Sequence, residues 1–453
     1  MRIIHTSDWH LGQNFYGKSR AQEHQLFMQW LLEQIQLHDV DALIIAGDIF
    51  DTGTPPSYAR CLYNQFIVDI QTTGCKLIVL GGNHDSVATL GESKQLLECL
   101  NATVIPGALD DVSEHIVVVN DKQQNPCAIV CALPYLRPRD LVLSQSGESS
   151  TDKQRKLGNE IASLYEQCFS EAQRINKQQP QALPIIATGH LTTVGASTSE
   201  SVRDIYIGSL DAFNATLFPD ADYIALGHIH RPQKIAKTEH IRYSGSPIPL
   251  SFDELSGEKS VFLAEFNQAS LADVKAIEVP RFQAMASLKG SLADIEQALT
   301  EFECKLSDAE SMTPQKTTWL SIEVAQQDFL SDLQTRIADI TEPLAVEVLQ
   351  LKRARSQRQQ QIEQLDNETL SELSVDDVFA RRLAQEDFSE PEQQARLSRV
   401  KSQFKQVVAQ VEERSTNLDS DANLDTNTSR DTNANLDTGA SKVSKADLGE
   451  DKA

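Results

Sequence analysis

The chain has 453 residues and 40% hydrophobic content, enough for two or three domains with buried cores. No apolar run approaches the roughly 18 residues a membrane span needs, and the N-terminal apolar stretch, broken by His5 and Asp8, is too short for a secretory signal. A formal net charge of −24 argues against a simple nucleic-acid coat protein, but not against a nuclease, because bound cations reverse the local field at an acidic site and a partner can supply basic surface. Cysteines stand at 61, 75, 99, 127, 131, 168 and 304, an odd number without a Cys-x-x-Cys pair. They read as free, mostly buried thiols in a reducing compartment, and the expected location is the cytoplasm.

Short β-rich apolar runs alternate with helical patterns over the first 260 residues. Strands are expected at Arg2–Thr6, Ala42–Ala46, Lys76–Leu80, Ala128–Leu133, Ile185–Thr188 and Tyr223–Leu226. Ala21–His38 carries Phe27, Trp30, Leu31 and Ile35 at helical spacing, and Ser57–Gln71 carries Tyr58, Leu62, Phe66 and Ile70. Strands alternating with helices predict layered α/β packing.

Composition shifts after about Pro280. Strands at Trp319–Val324 and Leu344–Leu351 around a helix at Phe329–Ile340 predict a small β-α-β domain. The charged stretch Lys352–Gln364 reads as a solvated helix or linker, and Glu368–Glu386 and Pro391–Glu413 fit amphipathic helices. From about Ser415 the chain is low in complexity, repeating Asn-Leu-Asp, and is expected to be disordered. The expected division is therefore 1–275, 280–352, 353–413 and 414–453.

Metal-type ligands recur at the ends of the apolar strands: Asp8-x-His10, Gly47-Asp48 with Asp51, Gly82-Asn83-His84-Asp85, His190, and Gly227-His228-Ile229-His230. Carboxyl ends of strands in α/β sheets open onto the ligand crevice, so five such ends predict one shared site. Carboxylate, imidazole and amide ligands without cysteine suit Mn²⁺, Fe²⁺ or Zn²⁺ rather than a structural zinc. There are too many ligands for one ion, and Asp48 is the natural bridge between two. Ions about 3.5–4 Å apart activate water and steady both oxygens of a phosphoryl displacement. Glycines 47, 82, 189 and 227 are expected to let the backbone turn sharply beside the ligands. Each block alone has a plainer reading, such as a turn, a strand-end Asp or a hydrogen-bonded histidine; it is their joint order that points to a site.

That order resembles the calcineurin-like metallophosphoesterase superfamily, all of whose signature blocks are present. Longer stretches, Thr6–Gly12, Gly189–Thr193, Gly227–Arg231 and Tyr243–Phe252, resemble its bacterial DNA-nuclease branch. The resemblance runs to about residue 410 and is strongest before 255. It implies a two-sheet β-sandwich core flanked by helices, with a small α/β cap domain and C-terminal helices. Asp8, His10, Asp48 and His230 would bind one ion and Asp48, Asn83, His190 and His228 the other, with Mn²⁺ for both. His84 would act on the leaving oxygen, and Asp51 would orient His84 and favour its protonated form; a helix cap is the alternative for Asp51. The resemblance further implies hydrolysis of duplex ends and DNA hairpins in repair, recombination and replication. It implies a coiled-coil ATPase partner docked on the helices after residue 368, and a homodimer within a heterotetramer. Ser57–Gln71 and Glu92–Leu100 are the candidate dimer helices, although core packing explains the same stripes. Lys18, Arg20, Arg137, Arg139, Arg203 and Arg231 are candidate phosphate contacts, with ordinary salt bridges as the alternative. A phosphatase or cyclic-nucleotide phosphodiesterase on the same core is the rival reading, and a non-catalytic scaffold is a second.

Overall fold

A computed structural model describes residues 1–142, 150–202, 212–299, 317–325 and 333–354. Arg203, Cys304, the start of the expected Phe329–Ile340 helix, both amphipathic helices after residue 368 and the tail lie outside the described residues.

Two six-stranded sheets form the core. The first orders its strands as Ser270–Glu278, Ser260–Asn267, Arg2–Thr6, Ala42–Ala46, Lys76–Leu80 and Ala102–Ile105. The last four run parallel, in the register Thr6↔Ile45 and Ala46↔Leu80. The second orders Gln233–Lys234, Ile241–Tyr243, Tyr223–Gly227, Ile185–His190, Pro126–Cys131 and Ile116–Asn120.

Alternation along each strand explains the layering, because successive side chains face opposite ways. Ala42, Ile44 and Ala46 join Ala128, Val130, Ile186 and Ala225 in a core between the sheets. Leu43 and Ile45 face outward, against Phe27, Leu31, Phe66 and Ile67. Those residues lie on the helices Ala21–Leu37 and Ser57–Ile70. On the other flank, Ile129, Cys131 and Ala187 pack against Ile161, Tyr165 and Cys168 of the long helix Ser150–Asn176. The result is a two-sheet β-sandwich between helical layers, as expected. Strands covered on both faces read as unbroken apolar runs, the pattern of central parallel strands. Each fully buried Ile or Leu contributes about 1.5–3 kcal/mol.

The element boundaries differ from expectation by one or two residues in most places. Not foreseen were, among others, the long helix Ser150–Asn176, the strand Ser260–Asn267 with its edge neighbour Ser270–Glu278, and the strand Met285–Gly290. This last strand pairs in parallel with Thr318–Val324, which pairs with Val346–Arg353, so the expected β-α-β unit is a three-stranded sheet. The helices at 292–299 and Leu333–Thr341 cover it.

This third sheet meets the hairpin that follows the first ligand loop. Phe15 stacks on Trp319 at 5.8 Å with Phe252 and Met285 beside them. The Tyr16 hydroxyl lies 2.6 Å from Gln350 Nε2, and Lys18 pairs with Glu347. Among the described residues no helix is long and apolar enough to cross a membrane. All six described cysteines are free; 75, 131 and 168 are buried, whereas 61 and 99 are exposed.

Candidate metal centre

The parallel strands Arg2–Thr6 and Ala42–Ala46 end level with one another, and their loops continue to pair. Asp8 N–H donates to Gly47 O (3.0 Å), His10 N–H to Asp48 O (3.1 Å) and Leu11 N–H to Ile49 O (2.9 Å). This zipper sets Asp8 and His10 beside Asp48. The third loop is fastened to the second by Asp85, which accepts the N–H groups of Ile49 (3.1 Å), Phe50 (2.9 Å) and Gly82 (2.8 Å). The second sheet joins at the same end: His228 N–H donates to the Asp8 carboxylate and His190 Nδ1 donates to Ala46 O, both at 2.9 Å.

All the residues singled out by the sequence therefore come together. Asp8, His10 and His230 offer ligand atoms within 4.8 Å of one another, and so do Asp48, His190 and His228. Asn83 Oδ1 lies 2.9 Å from His190 Nε2 and 3.1 Å from His228 Nδ1. Asp48 Oδ2 sits between the two groups, 3.6 Å from His10 Nε2 and 3.3 Å from His190 Nε2. Asp8, His10, Asp48, His190, His228 and His230 are buried, whereas Asn83 and His84 are partly open to solvent.

The donor set fits divalent ions on an observation independent of motif. His10 Nε2, fully buried, has no hydrogen-bond partner among the described residues, although buried polar atoms are nearly always satisfied. Its Nδ1 is bonded to Asp51 Oδ1 at 3.1 Å, which turns Nε2 toward Asp48. The charges are arranged to match. Burial alone would raise the Asp48 pKa, yet the charge and hydrogen bond of His190, with His10, hold it well below the usual carboxylate range. Burial opposes charging of His190, but Asp48 lifts its pKa to about 9. Burial, and then the neighbouring His190 charge, push His228 well below the ordinary imidazole value. Burial and the charge of Asp48 raise Asp85 to about 6, against the pull of its three N–H donors.

The Asp51 carboxylate bonds His10 Nδ1 at 3.1 Å, and the main-chain carbonyl of Asp51 meets His84 Nδ1 at 2.7 Å. The expectation for the glycines needs correction. Of the four, only Gly47 has positive φ (92°), whereas the left-handed turns fall on the candidate ligands themselves: Asp8 (54°), His10 (47°), Asp48 (50°) and His228 (96°). Gly82 and Gly227 instead provide room. A Cβ on Gly82 would stand 2.2 Å from Asp48 N and Oδ1, and one on Gly227 would stand 1.9 Å from Ala46 O.

Sequence reasoning missed the residues behind His230. Ser201 Oγ lies 2.6 Å from His230 Nδ1, and Glu254 Oε1 lies 3.4 Å from it. Lys259 Nζ, also buried, bonds Glu254 and donates to His230 O at 2.8 Å. Burial would raise the Glu254 pKa, but the Lys259 charge and then His230 hold it well below its usual range. Of the candidate phosphate contacts, Arg20 is consumed by a buried pair with Glu23, Lys18 by Glu347 and Arg231 by Asp253. Arg137, which donates to Asp85 O at 3.3 Å, and Arg139, which lies 3.6 Å from the Asp140 carboxylate, line a groove of about 880 Å³ that starts at Asn83.

Comparison with known proteins agrees with this geometry. The calcineurin-like phosphoesterase family matches residues 1–232, and the family described as Type 5 capsule protein repressor C-terminal domain matches residues 281–387. The SbcD subunit of the SbcCD nuclease from Escherichia coli is 52% identical over 394 residues, covering 87% of this chain and 95% of that protein. Its Rhodobacter capsulatus counterpart is 36% identical, covering 62% of this chain and 70% of that protein. The Bacillus subtilis counterpart is 29% identical, covering 73% and 81%. The chain accordingly belongs to the calcineurin-like phosphoesterases and, within them, to the SbcD nuclease subunits, which makes it a metal-dependent phosphodiesterase.

Proposed function

We propose that the chain is the Mn²⁺-dependent subunit of an ATP-driven DNA nuclease that degrades duplex ends and opens hairpins. The observation that carries this reading is Asp48, with one carboxylate oxygen between two separate ligand groups. Asp8, His10, Asp48 and His230 would hold one ion, and Asp48, Asn83, His190 and His228 the other. The pair would supply positive charge for the phosphate oxygens and an activated water.

The protein's own part is orientation. Asp51 fixes His10, Ala46 O fixes His190, and Ser201 with Glu254 fixes His230; each bond engages Nδ1 and so presents Nε2 to the centre. Asp85 holds the loops of Asp48 and Asn83 in register. His84 commits Nδ1 to Asp51 O, so its proton exchange with the leaving sugar oxygen runs through Nε2. Its partial exposure, against the burial of the histidine ligands, suits a residue that meets substrate.

A DNA substrate is supported by the nuclease activity named for the relatives and by Arg137 and Arg139 in the groove that starts at Asn83. The SbcCD name of those relatives also supports an SbcC-type ATPase as partner. We assign residues 1–275 to the nuclease, 280–352 to a cap and 353–413 to docking of the ATPase. The assembly would be a homodimer within a heterotetramer, serving DNA repair, recombination and replication in the cytoplasm. The test is cleavage of linear duplex and hairpin DNA by the Mn²⁺-loaded chain with its ATPase partner and ATP. Intact DNA after that incubation would overturn the reading, whatever the turnover of small phosphoesters.

A further inference from the structure

His230 is held from two directions, by Ser201, which precedes it in the chain, and by Glu254 and Lys259, which follow it. On its ring side, Ser201 donates its hydroxyl proton to Glu254 Oε1, so its oxygen is left to accept from His230 Nδ1–H at 2.6 Å. That chain of donors fixes the tautomer with the proton on Nδ1 and the lone pair on Nε2, which faces Asp8 and His10. On its main-chain side, Lys259 Nζ donates to the His230 carbonyl at 2.8 Å and to Ser246 Oγ at 2.8 Å. Glu254 joins the two halves. Its Oε2 accepts from Lys259 and from Leu250 N–H (3.0 Å), and its Oε1 accepts from Ser199 Oγ (2.8 Å). Glu254 is 2% exposed and Lys259 6% exposed, so both charges are withdrawn from water and answered by each other. A fully enclosed ion pair adds little as a mere fastening for a loop, since apolar residues of the same size would serve; placed behind a ligand, it orients that ligand.

We propose that Glu254 and Lys259 are positioning residues that clamp His230 at its ring and its carbonyl and so set the affinity of one of the two ions. The inference rests on the ligand assignment of His230 made above. It predicts an asymmetric effect, because the ligands of the other ion are tied elsewhere: His190 and His228 bond Asn83, and His190 bonds Ala46 O.

The test is a Mn²⁺ titration of the ion-free full-length chain, read by calorimetry and by the electron-spin coupling of paired ions. Ion-free melting temperature is followed separately. The paired variant Glu254→Gln with Lys259→Met removes both charges together and leaves no lone buried charge; Ser201→Ala removes a single hydroxyl and keeps the ion pair. Each should leave one ion bound as in the wild type and weaken the other, by about 10–100-fold for the paired variant. Ser201→Ala should sit at or below the low end of that range, since Glu254 Oε1 remains 3.4 Å from Nδ1. The spin coupling should fade while the melting temperature of the Ser201→Ala chain stays put. His230→Ala is the reference. If it loses one ion while both other variants bind two with wild-type constants, or loosen both ions equally, the clamp is refuted and the ligand assignment stands. If His230→Ala keeps both ions, the assignment is wrong and the clamp falls with it.

Discussion

Gly82→Ala should disable the centre without touching a ligand. The Cβ it adds would lie 2.2 Å from both Asp48 N and Asp48 Oδ1, where side-chain carbons do not come closer than about 3.0 Å. Asp48 must therefore retreat by about 0.8 Å, or the Gly82 loop must move by as much away from Asp85. Asp48 cannot retreat freely, because its carbonyl is bonded to His10 N–H and its Oδ1 to His84 N–H. Misplacement of a catalytic group by about 1 Å costs about 100-fold in rate, and overpacking of this kind costs about 1–3 kcal/mol of stability. The expectation is thus a loss of about 100-fold in phosphodiester turnover, weaker Mn²⁺ binding at both ions, and a modest fall in melting temperature. Gly257→Ala is the control, since nothing lies within 4 Å of its added carbon and its φ is −118°. Bis-(p-nitrophenyl) phosphate hydrolysis and metal analysis of the two variants decide the matter. Wild-type turnover with two tightly bound ions in Gly82→Ala would refute the close-approach argument.

Three further outcomes are expected. His84→Ala should keep its metal content yet lose most cleavage, whereas Asp48→Ala should lose metal; near-wild-type cleavage by the first would remove His84 from the reaction. Arg139→Ala should leave small phosphodiester turnover intact, but weaken DNA binding and reduce the slope of its salt dependence by about 1; an unchanged slope would take that groove out of the DNA path. Loading with Mn²⁺ should release protons at pH 7.5 and not at pH 10, because in the ion-free site Asp48 raises the His190 pKa to about 9 and an ion must displace that proton. Affinity should therefore rise with pH up to about 9 and then level; calorimetry in two buffers of different ionisation enthalpy reads the proton count, and equal heats at pH 7.5 would contradict the assignment.

The candidate ligands were legible in the sequence because each stands at or just past the end of a buried parallel strand, where an apolar run gives way to Asp, Asn or His. Local signals of that kind do not extend to Glu254 and Lys259, which reach His230 only through tertiary folding, from the 3-10 turn Phe252–Ser256 and from the residue just before the strand Ser260–Asn267. Asp51 was legible at the site, but the three-residue step from Asp48 does not reveal that its carboxylate bonds His10 while its carbonyl meets His84. The edge strand Ser270–Glu278 was hidden because its exposed side chains leave no apolar run. The helix Ser150–Asn176 was hidden because its many polar and charged residues mask the stripe of Ile161, Tyr165 and Cys168.

The left-handed turns at Asp8, His10, Asp48 and His228 bear on how such a centre could be moved between proteins. Each costs on the order of 1–3 kcal/mol for a residue that is not glycine, and the strain is borne by zippered loops and by the Asp85 fastening. Grafting the same side chains onto a helical bundle would copy the ligands while leaving behind the bent main chain that aims them. A faithful transplant would have to carry five strand ends from two facing sheets as one piece.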